Sequence, residues 1–432
     1  MKHFIFNHDD KKLPKQTKSI FPVQIFGIND RTSYIGNTIE GVIKRKGVRI
    51  PENAMDFLSI AMAVTAADTF FSRSDSDDGW HRQFILDLPL CEPSRWEFVK
   101  DRLEKTLYYL SGDAWTFNFT KGGKKPPVPT KHQLSEKWCE LNKLNCVSLF
   151  SGGLDSAIGV IDLIQEGNKP LLVSHAYRAD KSCQNNIKSC LSKEMQHYQF
   201  NADPHLRGSG LSDITMRTRS LNFIAFGILS VCILESVTQN NKLELIIPEN
   251  GFISLNAPLT KRRIGSLSTR TTHPYFIESM SNILHSVGLP CRIRNPYQFK
   301  TKGEMVVDCK DKKILSEVYN YSVSCSHWHR RNKQCGVCVP CIIRRAALHA
   351  GKIMERDDYF YNDILSLLSN PVKSDDIQSL MLAIKKLNTD NVTSWILKNA
   401  SLPHKDINKY EKVFRDGLLE VNKYFNSIGI KI

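Results

Sequence analysis

A short stretch in the middle of the chain, residues 146–174, limits most strongly what this protein can fold into. Residues 146–150 are apolar, a Ser-Gly-Gly turn follows, and residues 156–165 have the periodicity of an amphipathic helix. Gly167 stands where a glycine commonly ends a helix, and residues 170–174 are apolar again. Two short apolar strands joined by a helix lie parallel in one sheet, so the stretch predicts a strand–helix–strand unit.

The same alternation continues towards the carboxyl end. Residues 220–237 and 275–287 have helical patterns, and residues 243–247 and 291–294 read as further strands. This order is typical of an α/β fold, in which helices cover both faces of a parallel sheet through right-handed crossovers. Ligands of such sheets collect at the carboxyl ends of the strands, so we look for a site there.

A segment rich in glycine, lysine and proline, residues 120–130, predicts an extended and exposed connection. Four regions follow from it: an accessory domain at 1–120, a linker at 121–140, the parallel-sheet domain at 141–350 and a helical region at 351–432.

The accessory domain mixes helical and strand patterns. Residues 54–71 and 96–110 predict helices, residues 83–90 predict a strand, and we expect an α+β domain. Its polar residues, including Asp68 and Arg73, favour a structural role over chemistry.

The composition is that of a soluble globular protein, with 432 residues of which 41% are hydrophobic and 24% charged. No stretch approaches the ~20 apolar residues that span a bilayer, and the first residues lack a signal-peptide core. We expect a cytoplasmic protein without membrane contact. The net charge of +15 fits a nucleic-acid partner, an acidic protein, anionic substrates or a solvated basic surface, and no RNA-recognition motif accompanies it.

The turn after the first of these strands has the features of a phosphate-binding loop. Two glycines let the backbone turn tightly and approach a ligand, and the following helix directs free N–H groups and its positive dipole end at the turn. Together they form an anion site suited to phosphate. A carboxylate at Asp155 fits such a loop if it holds Mg²⁺ or caps backbone donors. The loop residues are Ser151, Gly152, Gly153, Leu154, Asp155 and Ser156.

This Ser-Gly-Gly-x-Asp-Ser sequence resembles the motif of the PP-loop ATP pyrophosphatases, which adenylate a substrate and release pyrophosphate. The resemblance implies that the loop holds the pyrophosphate end of ATP. It also implies that the adenine contacts the end of the next strand, at Ser174 and His175.

Four of the twelve cysteines lie close together, at Cys325, Cys335, Cys338 and Cys341. Four thiolates at short spacings form a closed tetrahedral shell for a structural Zn²⁺, whereas an iron–sulfur cluster is the less favoured alternative. His327 and His329 are more readily bystanders than ligands. The scattered remaining cysteines indicate a reducing compartment rather than a disulfide framework.

The loop and the cysteines together resemble the 7-cyano-7-deazaguanine synthase (QueC) family over roughly residues 145–350. The cysteines match the family's zinc ligands, Arg344 its trailing arginine, and residues 301–304 its Thr-Lys-x-Glu segment. The resemblance implies catalytic roles for Asp155, Lys302 and Arg219. It implies substrate contacts for Arg219 and Asn222, and the end of the third strand adds Glu249 and Asn250. Residues 1–140 and the tail lie outside the ordinary synthase, and the segment after the third strand differs from it.

From this resemblance we expect an enzyme that uses ATP, Mg²⁺ and Zn²⁺ to adenylate a carboxylate, 7-carboxy-7-deazaguanine, and then couples it to an amine. Length and overall sequence also resemble the QueC-like component of the Qat anti-phage defence system, QatC. That resemblance implies partner proteins from a defence operon. Two alternatives stay open: a PP-loop enzyme that modifies tRNA, and a non-catalytic subunit that binds ATP.

Overall fold

The computed structural model describes most of the chain in atomic detail. The described residues are 1–129, 138–175, 178–192, 195–208, 213, 217–240, 242–260, 270–328, 333–355, 358–370 and 373–432.

The N-terminal region contains a sheet of five strands in the order β3-β2-β1-β4-β5. All four strand pairs are parallel, so the region is α/β, where the sequence predicted α+β. Alternating strand and helix segments exist as expected, but a mixture of the two says little about strand direction. The strands are β1 (Lys2–Asn7), β2 (Ile20–Ile25), β3 (Ser33–Ile35), β4 (Gln83–Leu90) and β5 (Ala114–Lys121).

Four helices complete this region, and two of them had been predicted as one. The expected helix at 96–110 is divided at Val99, whose backbone leaves the helical region with ψ near 3°. The helices are α1 (Ile39–Lys46), α2 (Glu52–Phe70), α3 (Pro93–Glu97) and α4 (Lys100–Ser111).

The second sheet also has five parallel strands, in the order β10-β9-β6-β7-β8. Four of its strands were predicted, whereas β8 was missed because it is a short edge strand with polar residues at alternate positions. The strands are β6 (Cys146–Leu149), β7 (Pro170–His175), β8 (His197–Phe200), β9 (Glu244–Ile246) and β10 (Arg292–Arg294). The helices of this region up to the cysteine cluster are α5 (Trp138–Leu141), α6 (Leu154–Gln165), α7 (Arg178–Leu191), α8 (Arg219–Thr238), α9 (Gly251–Ser254), α10 (Pro274–Ser286), α11 (Lys302–Asp308) and α12 (Lys312–Val318).

Both sheets have the same connectivity: counted from the first strand of each, the order is 3-2-1-4-5. Helices at equivalent positions of the two sheets pack on each other. Helix α2 and helix α8, which both precede the fourth strand of their sheet, form one such pair, and α4 and α10, which both precede the fifth strand, form the other. The partners run antiparallel, since Arg102 near the start of α4 donates to Ser286 at the end of α10, 3.2 Å away. The two sheets therefore have the same topology and share one hydrophobic core.

Helix α8 is apolar on all sides because it lies inside this shared core. It is long and apolar enough to cross a membrane by length and composition, which corrects the expectation that no segment reaches that length. However, 78% of its most apolar window is buried inside the protein, as is usual for the core helix of a soluble fold.

The C-terminal region is helical, as expected, and packs around the cysteine cluster. Its last helix lies against α11 and against the helix that follows the cysteines. The cysteines and the C-terminal helices belong to one buried cluster, separate from the core between the sheets. The helices are α13 (Val339–Ala350), α14 (Asp375–Lys386), α15 (Val392–Ile396) and α16 (Ile407–Ser427).

Candidate active site

The Ser-Gly-Gly turn joins β6 to α6 at the point where the strand order of the second sheet reverses. Strand β6 lies between β7 and β9 in this sheet, and the connections from β6 and β9 leave towards opposite faces. A crevice therefore opens at the carboxyl ends of β6 and β9. Ser151 Oγ accepts from the backbone N–H of Gly153 at 3.2 Å, and Ser156 Oγ donates to the backbone oxygen of Gly153 at 2.9 Å. The two serines thus hold the turn in shape at the first turn of α6, whose N–H groups have no partner within the helix. This geometry fits a phosphate group.

Gly152 is required in this turn for two reasons. Its φ of +84° belongs to the left-handed region, and a Cβ there would lie 3.2 Å from Gln184. Its backbone oxygen accepts from Val323, which precedes the cysteine cluster, at 3.0 Å. The phosphate loop is therefore packed between α7 and the segment that leads to the cysteines.

Asp155 is the residue at which the predicted site comes together. It is buried, and its carboxylate lies 2.7 Å from the Lys302 ammonium, itself only 4% exposed. The other carboxylate oxygen accepts from the backbone and side-chain nitrogens of Asn250, at 3.1 and 2.7 Å. Residues from after β6, β9 and β10 thus meet in the crevice.

The two neighbouring carboxyl groups of the site, Asp155 and Glu249, have pKa values shifted in opposite directions. Burial would raise the pKa of Asp155, but the Lys302 ammonium and hydrogen bonds from Glu249 and Asn250 outweigh it and hold that pKa below its usual value. Burial, followed by the negative charge of Asp155, raises the pKa of Glu249 well above its usual value. The opposite directions of the two pKa shifts favour the negative charge on Asp155 and the proton on Glu249.

Lys302 opens α11, and the start of that helix is fully capped. Thr301 Oγ1 accepts from the Glu304 N–H at 3.0 Å, and the Glu304 side chain accepts from the Thr301 N–H at 2.7 Å. This is a capping box, whose Thr-x-x-Glu pattern can be read from the sequence at residues 301–304. It fixes the helix start from which Lys302 reaches Asp155.

Asn250 and Glu249, which we expect to contact substrate, also interact with Asp155 of the phosphate loop. Asn250 caps α9 through its side-chain oxygen, which accepts from Ile253 at 2.9 Å, while its amide nitrogen donates to Asp155. Since Asn250 is fully buried, the structure places it as a support for Asp155. A substrate contact by Glu249, which is partly exposed, stays a prediction.

Arg219 and Asn222 lie on the first turn of α8. Arg219 donates to Asp180 of α7 at 2.7 Å, and its guanidinium lies 5.5 Å from the ring centre of Phe223. Asn222 is fully buried, and neither polar atom of its side chain has a hydrogen-bond partner among the described residues. Such an amide costs free energy unless something pairs with it, which favours the predicted substrate contact.

Ser174 and His175 end β7, as predicted, but their side chains are used inside the protein. The Ser174 hydroxyl contacts the backbone oxygen of Phe150 and the ring of His197. Burial, and then the charge of Arg219, lowers the pKa of His175 to about 3, so its ring is neutral. A contact with adenine would therefore have to use the backbone of this strand end.

The four cysteines form the expected cluster. Their sulfur atoms all lie within 4.8 Å of one another, with Cys335 to Cys341 and Cys338 to Cys325 both at 3.9 Å. A tetrahedral site with Zn–S bonds of ~2.3 Å requires sulfur–sulfur distances of about 3.8 Å, so the donor set and its size fit Zn²⁺. Three backbone N–H groups, of His327, Cys335 and Cys338, point at these sulfurs at 3.2–3.3 Å, as suits thiolates. His329 lies outside the described residues.

Arg344, the family's trailing arginine, connects the cluster to the loop. It donates to Ser322 Oγ and to the backbone oxygen of Tyr319, both at 2.7 Å. The segment it holds continues to Val323, which binds the phosphate loop. Arg344 is thus a structural link, and zinc would stabilise the loop indirectly.

A comparison with known families agrees with this arrangement. The family model described as Queuosine biosynthesis protein QueC matches residues 271–352, which include Lys302, Arg344 and the four cysteines. The chain contains a QueC-like domain. No curated protein matches the chain. The QueC-like domain indicates an ATP-using enzyme of the PP-loop type, and the phosphate loop that it requires lies outside the matched segment but in contact with it.

Three residues of the site escaped the sequence reasoning. Gln184 lies against Gly152, Asp180 binds Arg219, and Glu420 contacts the start of α11. Each stands in an ordinary amphipathic helix with no motif around it, and only the packing of distant helices brings it to the site.

Proposed function

We propose that this protein adenylates a carboxylate, with ATP as the donor and pyrophosphate as the leaving group, and then transfers the acyl group to an amine. The observation that carries the proposal is the buried pair between Asp155 of the phosphate loop and Lys302 of the QueC-like domain. It joins a loop shaped for phosphate to a lysine within the segment that matches the QueC family model.

In the first step a carboxylate oxygen of the substrate attacks the α-phosphorus of ATP. The bond from that phosphorus to the bridging oxygen breaks, and pyrophosphate leaves with its electrons. Negative charge grows on the leaving group, and groups already oriented towards it lower the barrier. The N–H groups at the start of α6 and the Lys302 ammonium are suited to that role.

In the second step an amine attacks the acyl carbon, AMP leaves, and the nitrogen loses a proton to solvent or a base. With ammonia the product is an amide, which a second activation would dehydrate to a nitrile. With an amine of a partner protein the product is a conjugate. Asp155 is the loop residue that would hold Mg²⁺, which would neutralise phosphate charge.

The proposed carboxylate is 7-carboxy-7-deazaguanine, by analogy with the synthase family. Unpaired Asn222 and nearby Arg219 support a planar, hydrogen-bonding acid, since an amide reads donors and acceptors and a guanidinium binds a carboxylate. The four-cysteine cluster is proposed to hold a structural Zn²⁺. A role in anti-phage defence, with partner proteins in a cytoplasmic complex, is proposed from the resemblance to QatC.

The test is exchange of labelled pyrophosphate into ATP with the acid present or absent. We expect exchange only with the acid, and AMP only when an amine is added as well. The absence of exchange with all candidate acids, in protein that MgATP still stabilises against heat, would support a non-catalytic ATP-binding subunit instead. Mass spectrometry of reactions with and without partner proteins identifies the acceptor.

A second candidate is an enzyme that adenylates a tRNA base. The net charge of +15 favours it, because phosphate contacts by lysine and arginine drive nucleic-acid binding. That function predicts tRNA binding that weakens steeply with salt and AMP formation that depends on tRNA. Salt-independent, weak binding would leave the carboxylate as the substrate.

A further inference from the structure

Two helices carry candidate catalytic residues at their first positions. The start of each helix is contacted by a carboxylate from outside the QueC-like domain. Helix α11 begins with Lys302 and is contacted by Glu420 of the C-terminal helix α16. Helix α8 begins with Arg219 and is contacted by Asp68 of the N-terminal helix α2. The phosphate loop contains no residue of either extension, yet each extension reaches the start of a site helix.

Glu420 closes the start of α11. It accepts from the Thr301 hydroxyl at 2.6 Å and from the Gly303 N–H at 3.0 Å, on either side of Lys302. The capping box already satisfies Thr301 and Glu304, so Glu420 takes a donor that the box leaves over. A carboxylate at this end also favours the helix dipole.

The contact is close, so a side chain at position 303 would displace the Glu420 carboxylate. A Cβ at Gly303 would collide with the carboxylate of Glu420. Glu420 is held in turn by α16, whose neighbouring residues Leu418 and Val421 are fully buried. The position of α11, and with it the ammonium of Lys302, therefore depends on the C-terminal helix.

Asp68 performs the equivalent function at α8. One of its oxygens accepts from the N–H of Thr218 at 3.0 Å and from its hydroxyl at 2.8 Å, one residue before Arg219. Thr218 makes no side-chain cap of its own to the helix. Asp68 is 1% exposed and is fixed by Arg82, which also binds Asp113 at 2.8 Å.

We propose that Glu420 and Asp68 are positioning residues, through which the C-terminal and N-terminal extensions orient Lys302 and Arg219 in the active site. The inference rests on the proposed function and deepens it. It explains why a QueC-like domain carries two extensions: each supplies one carboxylate that fixes a helix start. Misplacing a catalytic group by about 1 Å can cost roughly 100-fold in rate, so such supports have leverage.

The experiment compares matched pairs of variants. Glu420→Gln is set against Glu411→Gln on the same helix, because Glu411 accepts from the Thr393 hydroxyl at 2.7 Å within the C-terminal region only. Asp68→Asn is set against Asp56→Asn on α2, because Asp56 accepts from Cys91 and Glu92 at 2.7 and 2.8 Å within the N-terminal region only. Gly303→Ala keeps Glu420 but displaces it.

Pyrophosphate exchange is measured at several concentrations of ATP and acid, together with hydrogen exchange of the peptides at 300–308 and 217–224. We expect Glu420→Gln and Gly303→Ala to lower kcat about tenfold or more with little change in the KM for ATP. Asp68→Asn is expected to raise the KM for the carboxylate. Each variant should speed hydrogen exchange at its own helix start, and the two controls should change neither.

If the site variants merely lose thermal stability to the same extent as their controls, with unchanged kinetic constants, the inference is wrong. If the wild-type protein shows no exchange with any acid, the proposed function fails, and hydrogen exchange still decides the inference. Equal protection of 300–308 in Glu420→Gln and Glu411→Gln would then overturn it.

Discussion

At the scale of single residues, the ion pair between Asp155 and Lys302 has the greatest consequence. Two opposite charges are removed from water, and burial and the charge of Asp155 raise the pKa of a second carboxyl, Glu249, beside them. Breaking a buried pair leaves one charge without compensation, while replacing both partners removes the problem. The pair is therefore a place where stability and activity can be separated by mutation.

We predict that Asp155→Asn and Lys302→Met each destabilise the protein by about 3–5 kcal/mol. The double variant should recover much of that loss, since no unpaired charge remains, and all three should fail to form AMP. Denaturant midpoints and AMP release measure the two effects. Strictly additive losses of stability in the double variant would contradict the pairing.

His273 gives a second prediction at this scale. Burial, and then the charge of Arg270, lowers the pKa of His273 to about 3. Its Nδ1 accepts from the N–H of Tyr275 at 3.2 Å and caps α10. Because the unfolded chain takes up a proton below pH ~6.5 and the folded chain does not, stability falls as the pH drops from ~6.5 towards 3.

The variant His273→Asn keeps a capping oxygen but has no proton to gain. We expect the wild type to lose about 2 kcal/mol more than the variant between pH 7 and pH 5. Chemical unfolding at the two pH values measures this difference. Parallel pH dependence in both proteins would show that His273 ionises freely in the folded state.

At the scale of elements, the two sheets differ at the crevice between their first and fourth strands, which are β1 and β4 in the N-terminal sheet and β6 and β9 in the second sheet. In the second sheet the phosphate loop follows β6 and lies at this crevice. In the N-terminal sheet Asp56 accepts from the N–H groups of Cys91 and Glu92 at the end of β4. The chain after β5 lies across the same place, since Cys91 Sγ donates to the Lys124 oxygen at 3.5 Å. The first sheet thus covers its own crevice and lacks a glycine turn after β1.

The turn between two of the cysteines also depends on one residue. Gly336 has a φ of +85°, and a Cβ there would collide with the backbone oxygen of Tyr361 and approach Tyr359 to 2.8 Å. The segment around Tyr361 pairs with Cys335, whose backbone oxygen accepts from Tyr361 at 3.1 Å. The metal turn is therefore packed against the C-terminal region.

We predict that Gly336→Ala lowers the zinc content well below one ion per chain. The control is Gly429→Ala, because Gly429 has a similar φ of +87° but its nearest neighbour, in Leu365, would be 3.9 Å away. Gly429→Ala should lower the free energy of unfolding by only ~1 kcal/mol through backbone strain, and the variant should keep its zinc. Metal analysis of both purified variants tests this, and equal zinc content would refute the argument from packing.

At the scale of the whole molecule, the two sheets share one hydrophobic core. The long helices α2 and α8 are apolar on most sides and pack on each other between the sheets. Removing one sheet would expose a large apolar surface on the other, and such surfaces cause aggregation.

We therefore predict that a fragment of residues 141–432 is insoluble when produced alone. Two chains, 1–129 and 138–432, should form a soluble complex when produced together, because the contact between α2 and α8 needs no covalent connection. Size-exclusion chromatography of the co-produced chains measures it. A soluble, folded 141–432 fragment would show that the shared core is dispensable.

Much of the fold was predictable wherever a feature depends on residues that are close together in the sequence. The strand–turn–helix at 146–165, the cysteine spacing and the capping box each depend on residues within a few positions of one another. The parallel direction of the N-terminal strands was not predictable, since neighbouring segments carry no record of which strands will pair. The edge strand β8 was missed because it is short and has polar residues at alternate positions. The substrate contact at Asn222 was predicted only through resemblance to a family.

The phosphate loop and the cluster of thiols are what the sequence by itself determined about this protein. Their chemistry follows from glycine's backbone freedom and from the affinity of clustered thiolates for metal. Only the tertiary structure decided which charges meet. The pairs Asp155 with Lys302, Thr218 with Asp68 and Gly303 with Glu420 join residues far apart in the chain. Such contacts depend on strand order and helix packing, because burial strengthens an ion pair or cap only after the fold has removed the water between its members.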